Sequence, residues 1–237
     1  MLGGCGLAHS APPTQAPLTV GYYEFPPAIY SDPQQRARGP VAELTRRVLR
    51  HAGYRARFRS LPSARLYAGL KSGSVDLWAG APGKPELAVH TLESRHTLGR
   101  IHLNLYYRPD TPPPRIPEDL AGQGVILISG YSYWPEITDM LQDPALGVRV
   151  VHTSNHESAL QMLRYRRANY VLDYQAPVSQ ARQRLRLGEL PFLPISEVPI
   201  HFIVSRYAAD SEAVLAALDR AYDELRAAGE DVRLPDD

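Results

Sequence analysis

The chain has 237 residues, enough for one large domain or two small lobes with a substantial core. Its 26 basic and 25 acidic side chains nearly cancel, which removes the basic footprint expected of a nucleic-acid-binding protein. No apolar run approaches the roughly 20 residues of a membrane-spanning helix, and a single cysteine, Cys5, rules out an internal disulfide.

The first 16 residues read as tail: proline-rich, without a strand or helix pattern. Leu2, Gly3, Gly4 and Cys5 fit a bacterial lipobox, in which the cysteine is lipidated, although the basic start and apolar core of a secretion signal are not upstream of it. The alternatives are a remnant of a longer precursor and a disordered tail with a chance cysteine. Residues 18–24 alternate and are β-rich, a first strand broken by Pro26 and Pro27. Gly39 and Pro40 open a helix that runs to Ala52 and stops at Gly53, with proline tolerated in the first turn and glycine past the end. A strand over 54–61, a helix over 64–72 and a strand over 75–79 complete a βαβαβ block, the signature of parallel strands joined by crossover helices.

A long strand over 100–108 precedes a stiff proline-rich break at 109–117. The second block then predicts a helix over 117–120, a strand over 124–129, a helix over 133–142 and a strand over 148–152. A helix over 156–167, a strand over 170–173, a helix over 178–185 and a strand over 192–195 follow. A second long strand, 198–206, leads to an amphipathic helix over 211–228 with Leu215, Leu218, Tyr222 and Leu225 on its buried stripe.

Two 20-residue segments, 63–82 and 158–177, both open with Ser-Ala and close with Ala-Pro. Each is a helix-patterned half, a small or polar break and a β-prone run, so the two halves of the chain are built alike. The two long strands bracket the second block, as expected if the chain crosses twice between lobes. Such crossings make a hinge and leave a cleft that ligands enter at the carboxyl ends of the strands.

Four stretches, VGYYEFPP, GPVAELTRRVLRHAG, LKSGSVDLWAG and MLRYRRANYVLDY, resemble in order and spacing the type 2 periplasmic substrate-binding proteins, extracellular solute-binding family 3, which includes polar amino-acid receptors. The resemblance covers residues 18 to about 228 and implies an α/β, two-lobed Venus-flytrap fold with two hinge-crossing strands. The lobes expected are 17–104 plus 200–237, and 105–199. It further implies a monomer, periplasmic or lipid-anchored, that binds a small polar solute without a cofactor and delivers it to an inner-membrane permease.

Carried over position by position, the resemblance places Tyr23 and Phe25, with Tyr22 nearby, in the cleft as stacking residues; the alternative for all three is core packing. Gly80 and Ala81, after the third strand, offer backbone groups to a ligand. Arg65 either clamps an anionic group or joins a surface ion pair. Gly130, Tyr131 and Ser132, between a strand and a helix, match ligand contacts. Asp173 matches the acid that receives a ligand amino group, against a salt-bridged structural aspartate, with Tyr174 beside it. The arginine that binds an α-carboxylate in amino-acid receptors is missing: Leu87 and Ala88 stand near its place, Lys84 is the nearest cation, and Arg65 or Arg95 are substitutes.

Two other readings stay open. A dehydratase-like enzyme on the same fold would need a catalytic carboxylate, for which Glu24 or Glu86 are candidates. A binding lobe pair also suits a membrane sensor as partner. His152 and His156 have helical i, i+4 spacing, a weak metal signal because Ser154 and Asn155 between them read as a helix cap.

Overall fold

The computed structural model describes residues 16–131 and 133–235; the Cys5 and Ser132 expectations fall outside them. The alternating Leu18–Tyr22 forms β1, buried along its whole length. A small hairpin, β2 (Tyr30–Ser31) with β3 (Ala37–Arg38), precedes helix α1 (Pro40–His51). Gly39 caps this helix at φ 96°, where a Cβ would meet the Ala28 carbonyl oxygen at 2.5 Å. Only glycine permits both the dihedral and the approach, and the reward is a hydrogen bond from the Val41 N–H to that carbonyl at 3.0 Å. The loop after β1 is thereby tied to α1. Strand β4 (Ala56–Ser60), helix α2 (Ser63–Ser72) and strand β5 (Leu77–Gly80) complete the first block.

A short strand, β6 (Thr91–Glu93), leads to β7 (Gly99–Tyr107). The segment predicted as a helix over 117–120 is only a 3-10 turn, Glu118–Leu120. Next come β8 (Gly124–Ile128), α3 (Pro135–Gln142), β9 (Arg149–Thr153) and α4 (His156–Arg164). The Asn155 side chain caps α4 by accepting from the Ser158 N–H at 2.8 Å, as its sequence context predicts. Strand β10 (Tyr170–Tyr174) runs directly into α5 (Gln175–Arg184). The two strands expected over 192–195 and 198–206 are one, β11 (Phe192–Ser205), with a register shift between Pro194 and Ser196. Helix α6 (Ser211–Ala227) closes the fold.

The strand order is β4-β1-β5-β11-β7-β10-β8-β9. Read from its two ends inward, each half has the same plan. A central strand (β1 or β8) pairs in parallel with the strand that follows the first helix (β4 or β9) and with the strand that follows the second (β5 or β10). The repeat detected at 63–82 and 158–177 is thus α2–β5 in one half and α4–β10 in the other. Antiparallel strands join the halves: β7 lies on β10 and β11 on β5, and β7 and β11 pair with each other from Gly99 opposite Ile200 to Tyr106 opposite Phe192. The chain crosses between lobes on these two strands, as expected from their length. Leu77, Leu103 and Phe202 are essentially inaccessible there, and each contributes about 1.5–3 kcal/mol by burial.

Candidate functional site

Where the lobes meet there is a cavity of about 380 Å³, within the range of small-molecule sites. One lobe supplies Tyr23, Phe25, Trp78, Ala81 and Lys84, and the opposite wall carries Trp134 and Tyr174. Helix α5 adds Ala176, Ser179, Gln180 and Gln183. Their i, i+3, i+4, i+7 spacing puts them on one helical face, so α5 turns a small and polar stripe to the cavity. The crossing strands form the floor with Arg100, Ile101 and Ile200.

Rings dominate the walls. Tyr23 lies 6.1 Å from Trp78 and 6.1 Å from Tyr131 between ring centroids, and Phe25 lies 5.4 Å from Tyr131 and 5.1 Å from Tyr174. Aromatic side chains of both lobes therefore touch across the cleft, at separations typical of favourable ring pairs. Gly80 explains the placement of Trp78: a Cβ there would sit 1.9 Å from the indole, so the ring lies back over the glycine, two residues along the same strand face.

Lys84 is buried in this wall, its ammonium 4.5 Å from the Trp134 ring centre and 5.4 Å from that of Tyr67. Burial lowers its pKa from the ordinary lysine value, opposed by the negative charge of Glu86. Behind the rings of the second lobe runs a hydrogen-bonded chain. Asp173 is 0% exposed and pairs through Oδ2 with His156 Nδ1 at 2.6 Å, while its Oδ1 accepts the Tyr174 N–H at 2.7 Å. His156 Nε2 lies 3.1 Å from the Tyr131 hydroxyl. Burial raises the Asp173 pKa, and the His156 contact counteracts it. Burial first, and the Asp173 charge second, push the Tyr131 phenol far above its ordinary value.

Of the residues expected at the site, Tyr22, Tyr23, Phe25, Gly80, Ala81 and Tyr174 line the cavity. Tyr131 stands one ring behind, against Tyr23, Phe25 and Tyr174. Gly130, Asp173 and Arg65 are not in the wall: Gly130 is exposed in the turn after β8, Arg65 is exposed on α2, and Asp173 is held inward by His156. Of the proposed substitutes for the missing arginine, Lys84 is in the wall, whereas Arg95 is on the surface, paired with Asp223. The i, i+4 histidines fall on different elements, His152 in β9 and His156 at the start of α4. Glu24 accepts hydrogen bonds from Ser31 and Ser60 and lies outside the wall, as does exposed Glu86. Trp78, Trp134 and the stripe on α5 were not expected. The α5 stripe was detectable in principle, since small and neutral polar residues recur at helical spacing; for the tryptophans no sequence signal separated cleft from core.

A model of the bacterial extracellular solute-binding proteins, family 3, matches residues 18–235. The chain belongs to this family. Among solved structures, this family 3 protein is similar to a histidine kinase sensor domain that itself resembles periplasmic binding proteins, with TM-score 0.71, 24% identity, and 90% and 91% of the two chains covered. An ancestral arginine-binding protein bound to arginine matches with TM-score 0.72 and 21% identity over 91% of this chain and 94% of that one. The substrate-binding protein of an amino acid ABC transporter matches with TM-score 0.69 and 13% identity over 91% and 95%. These likenesses establish the two-lobed α/β periplasmic-binding fold. No curated protein matches the chain. Among the described residues no helix is long and apolar enough to cross a membrane.

Proposed function

We propose that this family 3 protein is an extracytoplasmic receptor, periplasmic or lipid-anchored, that closes on a small solute in the cleft between its lobes. The observation that carries the reading is the convergence of rings from both lobes on one cavity: a ligand seated among Tyr23, Phe25, Trp78 and Tyr174 would bridge the two halves and favour their approach. The lobes would comprise residues 17–104 with 200–237, and 105–199, turning about β7 and β11. Tyr22, Tyr23, Phe25, Ala81 and Tyr174 would contact the solute, with Tyr131 buttressing them. Solute binding fits the wall, whose described residues are mainly rings, aliphatic side chains, amides and the two cations Lys84 and Arg100. The occupied form would act as a monomer on a membrane partner. An ABC permease suits the transporter-linked relatives, and the sensor-domain neighbour favours a membrane sensor as the second reading.

A thermal-shift screen of amino acids, amines and organic acids should yield at least one ligand that raises the melting temperature by mass action. Turnover of a bound acid, followed by mass spectrometry, would move the assignment to an enzyme.

A further inference from the structure

Helix α5 turns three neutral polar side chains, Ser179, Gln180 and Gln183, to the cavity. Among the described residues no other group forms a hydrogen bond with any of the three side chains. Gln175, at the start of the same helix, is by contrast held: its Oε1 accepts from Asn104 Nδ2 at 3.3 Å. The charged groups of the wall are engaged as well. Arg100 pairs with Glu197, and the Lys84 ammonium lies against the rings of Tyr67 and Trp134. Phenol groups aside, the rest of the described wall is aromatic and aliphatic. A site of this build orients its solute through a few polar groups, and the ones that the protein itself does not occupy are uncharged.

We propose that Gln180 and Gln183, with Ser179 beside them, form a subsite for a carboxamide or lactam group on a solute whose apolar body lies on the rings of Tyr23, Phe25 and Trp78. This rests on the solute-binding reading and names the group by which the ligand is recognised. Residues three apart on a helix are neighbours, so the two glutamines stand side by side. Each amide offers an acceptor oxygen and a donor NH2. A carboxamide carries the complementary donor and acceptor on adjacent atoms and satisfies both glutamines at once, while the Ser179 hydroxyl supplies either role. A methyl in its place forfeits those hydrogen bonds. The rings set no condition on charge, because their faces take an apolar body and a cation as well. Charge elsewhere on the solute therefore does not decide the subsite, which discriminates between a carboxamide and its absence.

Calorimetric titration of the full chain at pH 6 compares two pairs that keep ring and charge and differ in the carboxamide. Indole-3-acetamide is set against 3-methylindole, both neutral, and phenylalaninamide against phenethylamine, both cations. In at least one pair the carboxamide member should bind tenfold or more tightly than its partner. The double variant Gln180→Leu/Gln183→Leu should close that gap while keeping a cooperative melt. Gln183→Leu alone, at an exposed position, supplies the same comparison if the double variant does not fold. A gap that survives in the folded variant overturns the role of α5 and with it the proposal. Equal binding within both pairs, or silence from all four compounds, overturns the subsite, and a hit in the wider thermal-shift screen then leaves the receptor reading standing. Silence from all four and from the wider screen overturns the receptor reading and the proposal together.

Discussion

Asp173 shows how a residue acquires its role from its surroundings. A carboxylate with no access to water is costly unless paired and hydrogen-bonded, and here His156 and the Tyr174 N–H satisfy it. His156 in turn reaches the Tyr131 hydroxyl, so the buried pair anchors a ring that touches both Tyr23 and Phe25. Removing His156 leaves the carboxylate buried without the hydrogen-bond partner of its Oδ2. His156→Ala should therefore cost about 3–5 kcal/mol in urea unfolding, and a loss under 1 kcal/mol would mean that the pair is not formed. Lys84 makes an opposite kind of contribution. Its folded-state pKa lies below the unfolded value of 10.5, so between the two values the unfolded chain binds more protons. Stability contributed at this site rises with pH through that window and is lowest below it, where the buried ammonium is fully charged. The stability difference between Lys84→Met and the parent should be largest at neutral pH, in favour of the variant, and shrink as pH climbs toward 10.5. Parallel pH profiles would contradict this.

At the scale of elements, two devices shape the cavity. In β5, Gly80 leaves space that the Trp78 indole fills. Gly80→Ala would drive the ring out of that position, at a cost of about 1–3 kcal/mol for an overpacked site. The expected signatures are a changed tryptophan near-UV spectrum and weakened ligand binding; an unchanged spectrum would show that the ring does not depend on the glycine. In α5 the apolar residues Pro177, Val178 and Ala181 face the core, while the opposite stripe carries Ser179, Gln180 and Gln183 to the ligand space. A helix that must satisfy a core on one side and a wet cleft on the other has only a weak apolar periodicity. Its outline was visible in the sequence, although its start, at Gln175, was not.

For the whole molecule, the decisive feature is that, among the described residues, the halves of the sheet are joined through β7 and β11. Each half is built around its own parallel strands, with cores that include Leu66, Leu70 and Val75 on one side and Ile126, Leu160 and Val171 on the other. A solute held by rings from both halves should draw them together through rotation on these strands. Small-angle scattering should record a smaller radius of gyration at saturation. At a free ligand concentration 100 times Kd the unfolding free energy should rise by about 2.7 kcal/mol. Stabilisation of that size with no change in scattering would assign the ligand a site within one lobe.

Local chemistry determined the elements. The Gly39–Pro40 start of α1, the Asn155 cap of α4, the two crossing strands and the doubled helix–strand unit all follow from spacing and backbone preference, which act within a few residues of the chain. Short-range signals failed where elements were too short to show a period, as in β2, β3 and β6, and where two strands fused across the irregularity near Pro194. Ring residues after β1 were legible because a proline pair ends the strand where the cleft begins. Which charges face the cavity was decided by tertiary structure alone. Asp173 and Lys84 stand in sequence contexts that do not disclose direction, and their roles depend on partners 17 residues away in one case, at His156, and across the cleft at Trp134 in the other. Burial and pairing are set by what the other half of the chain places opposite a side chain, and that is known only once both lobes are in place.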